Sequence, residues 1–246
     1  MAHPLSVQLY TVRDHMDDRD ETLRRLADIG FTAVEPYNPT DKPEEFRKTA
    51  DDLGLQVSAI HAGGLIGEDP ARVFEAIVTL GTDLAIVPAG TSIDDFSTLD
   101  AIARFADRLN ALSEQAHTYG LSLGYHNHFW EFEPVIDGRH GLEFLVDQVA
   151  PEVFFEIDTY WAAVGGADVP AVLGRLGDRV KALHVKDGPI VKGEPNVAVG
   201  TGAMDVPAVL AAAPEAWRVV EFDECATDVF EALAASHAYL TGLARS

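Results

Sequence analysis

Along the chain, short runs of β-branched and apolar residues alternate with segments in which apolar positions recur every three or four residues. The short runs are LSVQLY (5–10), TAVEPY (32–37), QVSAIH (56–61), LAIVPA (84–89), SLGYHN (122–127), VFFEID (153–158), KALHVK (181–186) and RVVEF (218–222). Their length and nearly continuous apolar character suit strands covered on both faces. The segments between them, such as DETLRRLADIG, PEEFRKTADDLG, DPARVFEAIVTLG and TLDAIARFADRLNALSEQAHTYG, read as amphipathic helices. Asp69 before Pro70 supplies an N-cap and a favoured first helical residue. Gly30, Gly54, Gly81 and Gly120 stand where helices end.

Eight such units in a chain of 246 residues average about 31 residues each, the size of one unit of a (β/α)8 barrel. The competing architecture is a doubly wound open sheet, which carries a glycine-rich turn after its first strand. Here LSVQLY runs into TVRDHMDD, which has no glycine. The expected fold is therefore α/β, a single-domain (β/α)8 TIM barrel over residues 1–246, with no Pro/Gly/Ser linker dividing it. The most irregular stretch is 188–202, GPIVKGEPNVAVGTG. It reads either as a loop over the barrel mouth that carries substrate contacts or as an ordinary surface excursion.

Charge narrows the partners. Forty acidic residues against 18 basic ones give a formal net charge of −22, a field that repels phosphate backbones, so nucleic acid is not an expected partner. The lone cysteine, Cys225, cannot form an internal disulfide, which points to a reducing, cytoplasmic setting. No basic-then-apolar leader opens the chain, and no apolar run approaches the roughly 20 residues of a membrane span.

In a barrel of this kind the active site forms at the C-terminal ends of the strands. Those ends carry Glu35, His61, then His126, Asn127 and His128 with Glu131 beyond, then Asp158, His184, Lys186, Glu221 and Asp223. Each has a structural reading when taken singly: a strand-end histidine is commonly a satisfied core residue, Glu35 can be an ion-pair partner beneath the site, and Glu156 can pair with a lysine or arginine. The convergence is harder to explain that way, because burying so many ionisable groups together is costly without a metal. Histidine nitrogen mixed with carboxylate oxygen suits Mn²⁺, Co²⁺, Zn²⁺ or Fe²⁺, and Mg²⁺ less well. A thiolate site, a nucleophile elbow and a phosphate-cradling loop are all lacking.

The segments VQLYTVRD, GYHNHFWEF, EIDTYW, ALHVKDG, VGTGAMD and VVEFDE resemble the xylose-isomerase-like TIM barrels, the sugar phosphate isomerase/epimerase family. Its members include ketose 3-epimerases, hydroxypyruvate isomerase and inosose dehydratase. The resemblance implies one divalent metal held by Glu, Asp, His and Glu at the ends of the fifth to eighth strands. Asp158, His184 and Glu221 match the last three, and His126 falls where the epimerases have glutamate. Glu131, five residues on, is the alternative fourth ligand. The implied activity is isomerisation or epimerisation of a keto-sugar or polyol carbonyl through an enediolate, with Mn²⁺ the first choice of metal. Glu221 is the expected base, His61 and Lys186 are candidate proton donors or relays, and Glu131 is a further catalytic candidate. Tyr10, Glu35, Asn127, His128 and Trp161 are the expected substrate contacts, with Trp130, Trp161 and Tyr10 as an apolar wall.

His126 unsettles the symmetric exchange between two glutamates and leaves a metal-dependent dehydratase or lyase as an alternative. A non-catalytic sugar-binding barrel is the second alternative. The DNA-repair endonucleases of the same fold branch need a basic surface, which this charge opposes. The scarcity of arginine near the mouth disfavours a phosphorylated substrate, although Lys186 and Lys192 are available, and the family resemblance suggests a homo-oligomer.

Overall fold

Parallel pairing runs through nine strands in the order β3-β2-β1-β11-β10-β9-β6-β5-β4. These come from a computed structural model describing residues 3–67, 69–89, 93–133 and 135–244. In chain order the elements are β1 (Leu5–Gln8), a 3-10 segment (Leu9–Asp18), α1 (Arg19–Ile29), β2 (Ala33–Glu35), α2 (Pro43–Leu53), β3 (Gln56–Val57), β4 (Ile60–His61), α3 (Pro70–Leu80), β5 (Leu84–Val87) and α4 (Leu99–Thr118). There follow β6 (Ser122–His126), β7 (Val135–Ile136), β8 (Arg139–His140), α5 (Gly141–Gln148), β9 (Phe154–Asp158), α6 (Thr159–Val164), α7 (Val169–Leu176), β10 (Val180–Val185), α8 (Val206–Ala212), β11 (Trp217–Val220) and α9 (Val229–Leu243). Every expected strand is present, and the architecture is the TIM barrel.

The third expected strand is broken at Ser58 and Ala59 into β3 and β4. β3 pairs with β2 and β4 with β5, and a parallel bridge from Tyr37 to His61 joins the two sides. The ring of strands thus closes through the broken one. At the break the Ser58 hydroxyl lies 2.7 Å from that of Ser6, so a polar contact ties the interruption to β1. The first strand is shorter than expected because the Gln8 side chain accepts from the Tyr10 amide (3.1 Å) and turns the chain into the 3-10 segment. An unexpected hairpin, β7–β8, turns on Asp137 and Gly138, both at positive φ, the signature of a two-residue turn.

Part of the acidic excess is spent on helix starts. Asp18, Asp69, Asp168, Asp205 and Asp228 each accept a backbone amide of the first helical turn. Inside the barrel, residues two apart on each strand share a face. Ala33, Ala182, Trp217 and Val219 form one apolar patch of the floor, and Ala59, Ile86 and Phe154 another. Gly124 is required there, since a Cβ would meet the Phe154 ring at 2.3 Å. The opposite strand faces carry the main core, with Leu23, Leu26, Phe74, Ile77, Phe105 and Leu109 among the helix residues that cover it. Above the floor the interior becomes polar. Among the described residues, no helix is long and apolar enough to cross a membrane.

Candidate metal centre

Strand alternation carries the floor upward into charge. On β9, Phe154 belongs to the floor, and the same face then presents Glu156 and Asp158; β10 does likewise with Ala182, His184 and Lys186. Register aligns His184 with Asp158 and Ala182 with Glu156. Gln8, Glu35, His126, Glu156, Asp158, His184, Lys186 and Glu221 are all buried, as is His61.

Two groups of donors lie on the two sides of a pair of imidazoles. Toward the mouth, His126, Asp158, His184 and Glu221 each offer a ligand atom, all within 4.8 Å of one another. Here His184 Nδ1 is 2.7 Å from Glu221 Oε2 and His126 Nε2 is 3.8 Å from Asp158 Oδ2. Toward the floor, His126 and His184 join His61 and Glu156 in a second such group. Glu156 Oε2 sits 2.5 Å from His61 Nε2, 3.1 Å from His126 Nδ1 and 3.2 Å from His184 Nε2. Glu35 Oε1 receives Gln8 Nε2 (2.7 Å) and faces His184 Nε2 at 2.8 Å. The mouth group is the set singled out by the family resemblance. The floor group lies behind it, where carboxylates commonly orient ligating histidines.

The electrostatics follow from burial and from neighbours. Burial pushes Glu35 up to about 7, helped by Glu156, and pushes Asp158 up to about 6 against the pull of Lys186. Burial also raises Glu156, lowers His61 to about 4 and holds His126 well below the ordinary imidazole range. His184 goes the other way: burial disfavours its cation, but Glu156 and Glu221 outweigh that and raise it well above the usual value. For Glu221, burial is overcome by the charges of His184 and Lys186, which hold the carboxyl well below its usual range. Lys186 remains an ammonium because Asp158, Glu221 and Asp223 together outweigh its desolvation. Its Nζ lies 2.7 Å from Asp158 Oδ2, 2.6 Å from Glu221 Oε2 and 2.7 Å from Asp223 Oδ2.

Other expected site residues are placed differently. Asn127 is buried, but its amide is taken up by backbone: Oδ1 accepts from Asp158 N (3.0 Å), while Nδ2 donates to the carbonyls of Asp158 (3.2 Å) and His128 (3.1 Å). It braces β6 against β9, with both ends of its amide engaged by backbone. Glu131 is likewise outside the cluster. Its carboxylate receives the Tyr125 hydroxyl at 2.6 Å and the His128 amide at 2.9 Å, and His126 rather than Glu131 belongs to the mouth group. The aromatic wall divides. His128 stacks on Trp130 with centroids 4.2 Å apart, and Trp161 packs near Phe129 with its ring 5.7 Å from Lys186 Nζ. Tyr10 instead meets Tyr37 edge-on, three strands away around the barrel. A separate cavity of about 520 Å³ beside β2, lined by Leu9, Arg19, Tyr37 and Phe46 among others, is bordered by none of the cluster residues.

Three residues escaped the sequence reading, one of them Gln8, which donates to Glu35. Asp187, next to Lys186, organises the irregular loop through backbone amides. Asn196 links that loop to the strand-end segment after β11, accepting from Asp223 N at 3.0 Å. The loop is thereby tied to the rim at Asp223. The signal for Asp187 was an acid followed by glycines at 188, 200 and 202, where backbone can approach a carboxylate closely; a Cβ on Gly202 would meet Asp187 Oδ1 at 2.2 Å.

Residues 23–216 match the family described as xylose isomerase-like TIM barrel, and the chain belongs to that family. A sugar phosphate isomerase/epimerase from Parabacteroides distasonis is similar in structure, with a TM-score of 0.80 and 24% identity over 98% of this chain and 94% of that one. The probable 3-DHS dehydratase AsbF of Bacillus anthracis superposes with a TM-score of 0.76 at 13% identity, covering 97% of this chain and 99% of that one. The IOLI protein, whose structure holds a zinc atom, gives 0.71 at 17% identity over 98% of each chain. At these identities the likeness is one of fold. A local match of 65 residues, 42% identical, links the chain to the PurQ subunit of phosphoribosylformylglycinamidine synthase from Bradyrhizobium diazoefficiens. It spans 26% of this chain and 28% of that protein, and carries no statement about activity.

Proposed function

We propose that this member of the xylose isomerase-like TIM barrel family is a divalent-metal-dependent isomerase or epimerase acting on a keto-sugar or related polyol carbonyl through an enediolate. The observation that carries the reading is the mouth group: two imidazoles and two carboxylates within 4.8 Å of one another, buried at the end of the barrel where strand chemistry gathers. The donors fit a metal on their own chemistry. Asp158 Oδ2 is buried and answered only by the ionic contacts of Lys186 and His126, and the nitrogen–oxygen mix suits Mn²⁺, Co²⁺, Zn²⁺ or Fe²⁺, with Mg²⁺ less suited and Mn²⁺ taken first on the family resemblance. The zinc in the similar IOLI structure supports a metal of this kind.

His126, Asp158, His184 and Glu221 would hold a divalent ion, which would supply Lewis acidity for a carbonyl substrate. The chain's own groups move the proton. Glu221 is ionised at neutral pH and is the base for the C–H beside the carbonyl. Lys186 is an ammonium at neutral pH and gives a proton to the enediolate; it is then reprotonated from water while Glu221 releases to water the proton it took. His61, neutral and bonded to Glu156, lies on the floor side and acts at most as a relay. His128, Trp130 and Trp161 offer an apolar wall for one sugar face. Return of the proton to the opposite face makes the reaction an epimerisation, and return at the adjacent carbon an isomerisation.

One observation favours a second reading, a dehydratase or lyase. His126 holds the place of the second carboxylate that a symmetric exchange uses, whereas Glu221 as base and Lys186 as acid suffice for loss of a β-hydroxyl. The likeness to AsbF is consistent with it. Both readings share the first step, so one experiment tests them. Protein loaded with Mn²⁺ is incubated in D₂O with ketopentoses, ketohexoses and a keto-inositol. Deuterium beside the carbonyl of the recovered sugar supports isomerase chemistry, and a product lighter by one water supports elimination. E221Q should slow either by about 10²–10⁴-fold. If no sugar takes up deuterium or loses water, proton abstraction is refuted.

A further inference from the structure

Lys186 stands at the end of β10 with only 1% of its surface exposed, so its charge must be answered by the groups around it. Two of its three partners, Asp158 and Glu221, belong to the mouth group, and its contacts with them include Oδ2 of Asp158 and Oε2 of Glu221. The other oxygen of Asp158 is already engaged: Oδ1 accepts the Trp161 amide at 2.9 Å and caps α6, so Oδ2 is the oxygen that a cation in the mouth group takes most readily. Glu221 Oε2 is also the atom facing His184 Nδ1. A second cation brought to these oxygens is repelled by the ammonium, strongly so in a buried setting, and the two therefore compete for them. The third partner differs. Asp223 is outside the mouth group, its side chain is 34% exposed at the rim, and its backbone is fixed by Asn196.

We infer that Lys186 is a built-in competitor for the metal: its ammonium and the divalent ion take Asp158 Oδ2 and Glu221 Oε2 in turn, and Asp223 retains the displaced ammonium at the rim beside Trp161. This rests on the metal reading of the mouth group. In the metal-free chain the ammonium neutralises the buried carboxylates and keeps the site folded. Metal binding frees Lys186 from two of its three partners and turns it toward the substrate side. The proton donor is thus exposed only when the Lewis acid is in place, so loading the metal and arming the donor are one event. If Lys186 were only a fixed counter-charge, it would stay buried whether or not a metal was bound.

The test uses the full-length wild-type chain with and without saturating Mn²⁺, labelled briefly with an amine-acylating reagent and read by peptide mass spectrometry. Lys48, whose side chain is 76% exposed, serves as the internal standard. Lys186 labelling, normalised to Lys48, should rise at least fivefold on saturation, and an unchanged or lower rate overturns the inference. In parallel, Mn²⁺ is titrated calorimetrically into wild type and K186M. The variant should bind at least tenfold more tightly and, without metal, melt at a lower temperature than wild type, with Mn²⁺ narrowing the gap. Equal or weaker binding by a folded K186M overturns the competition. Absence of Mn²⁺ and Zn²⁺ binding to both proteins overturns the metal reading itself, an outcome distinct from bound metal with unresponsive Lys186.

Discussion

Asp158 and Asp187 close neighbouring strands of one barrel, and both are wholly withdrawn from solvent. Their surroundings are opposite. The Asp187 carboxylate is saturated by backbone: Oδ1 accepts from Gly188 (2.8 Å) and Met204 (3.0 Å), and Oδ2 from Gly200 and Gly202 (2.9 Å each). The loop from Gly188 to Met204 is wound around one side chain. Asp158 has one backbone donor, the Trp161 amide, and its other oxygen faces charged or chargeable side chains, the Lys186 ammonium at 2.7 Å and His126 Nε2 at 3.8 Å. Burial therefore does not distinguish a functional carboxylate from a structural one. What the partners are does distinguish them, because a cation can take the place of a side chain beside Asp158 far more readily than that of the four backbone amides that hold Asp187.

The largest effect on stability is expected at Asp187. D187A leaves four buried or half-buried amides without their acceptor, at about 1–3 kcal/mol each before relaxation. The loss should reach about 4 kcal/mol, read as a fall in the urea midpoint together with new proteolytic cleavage between residues 188 and 204. A variant that unfolds at the wild-type midpoint would mean that the loop is held by its other ties, from Asn196 to the Asp187 carbonyl and from the Val199 amide to Ser236.

Glu131 falls between the two aspartates, with two directed donors and a carboxyl that burial pushes up to about 7 despite them. A carboxyl raised in the folded state binds its proton more tightly folded than unfolded. Its contribution to stability is complete below the ordinary value near 4.5 and is lost as pH rises through about 7. Wild type should therefore lose stability relative to E131Q across that window by up to about 3 kcal/mol. Denaturant midpoints of the two proteins measured from pH 4.5 to 7.5 would check this. A difference that stays flat with pH would show that the Tyr125 and His128 donors keep Glu131 ionised throughout.

The comparison also explains what was legible in the sequence. The eight strands were visible because helix cover on one face and barrel packing on the other demand apolar runs. The break at Ser58 and Ala59 was hidden, since it belongs to barrel closure rather than to local pattern. The hairpin at Asp137–Gly138 was readable from its turn residues and was overlooked. In the site, residues two apart on a strand point the same way, so His184 with Lys186 and Glu156 with Asp158 could be assigned together to the interior. Asn127 and Glu131 carry the same kind of polar signal, yet they serve backbone and a tyrosine. No sequence pattern reports how many donors reach a given oxygen. Asp187 was missed for the same reason: it lies one step out of phase with His184 and Lys186, and its partners are amides of a loop with no periodicity.

The smallest effect on stability, and the sharpest on chemistry, is expected at Asp158. Asparagine keeps a side-chain oxygen for the Trp161 amide, so the start of α6 stays capped. Lys186 keeps Glu221 and Asp223, and the group removed is one that burial has already pushed up to about 6. Metal-free D158N at pH 7 should unfold within about 1 kcal/mol of wild type. The same change removes the negative charge and the oxygen that faces the other mouth donors. The rise in melting temperature that Mn²⁺ gives wild type should therefore vanish, and deuterium exchange into substrate should vanish with it. If D158N were instead destabilised as much as D187A, that oxygen would be structural after all. If it were stable and still gained stability from Mn²⁺, the metal would be held without Asp158, by the three remaining mouth donors or by the floor group of His61, His126, Glu156 and His184. Measuring stability and metal response on the same two variants separates these outcomes, because Asp187 should govern the first and Asp158 the second.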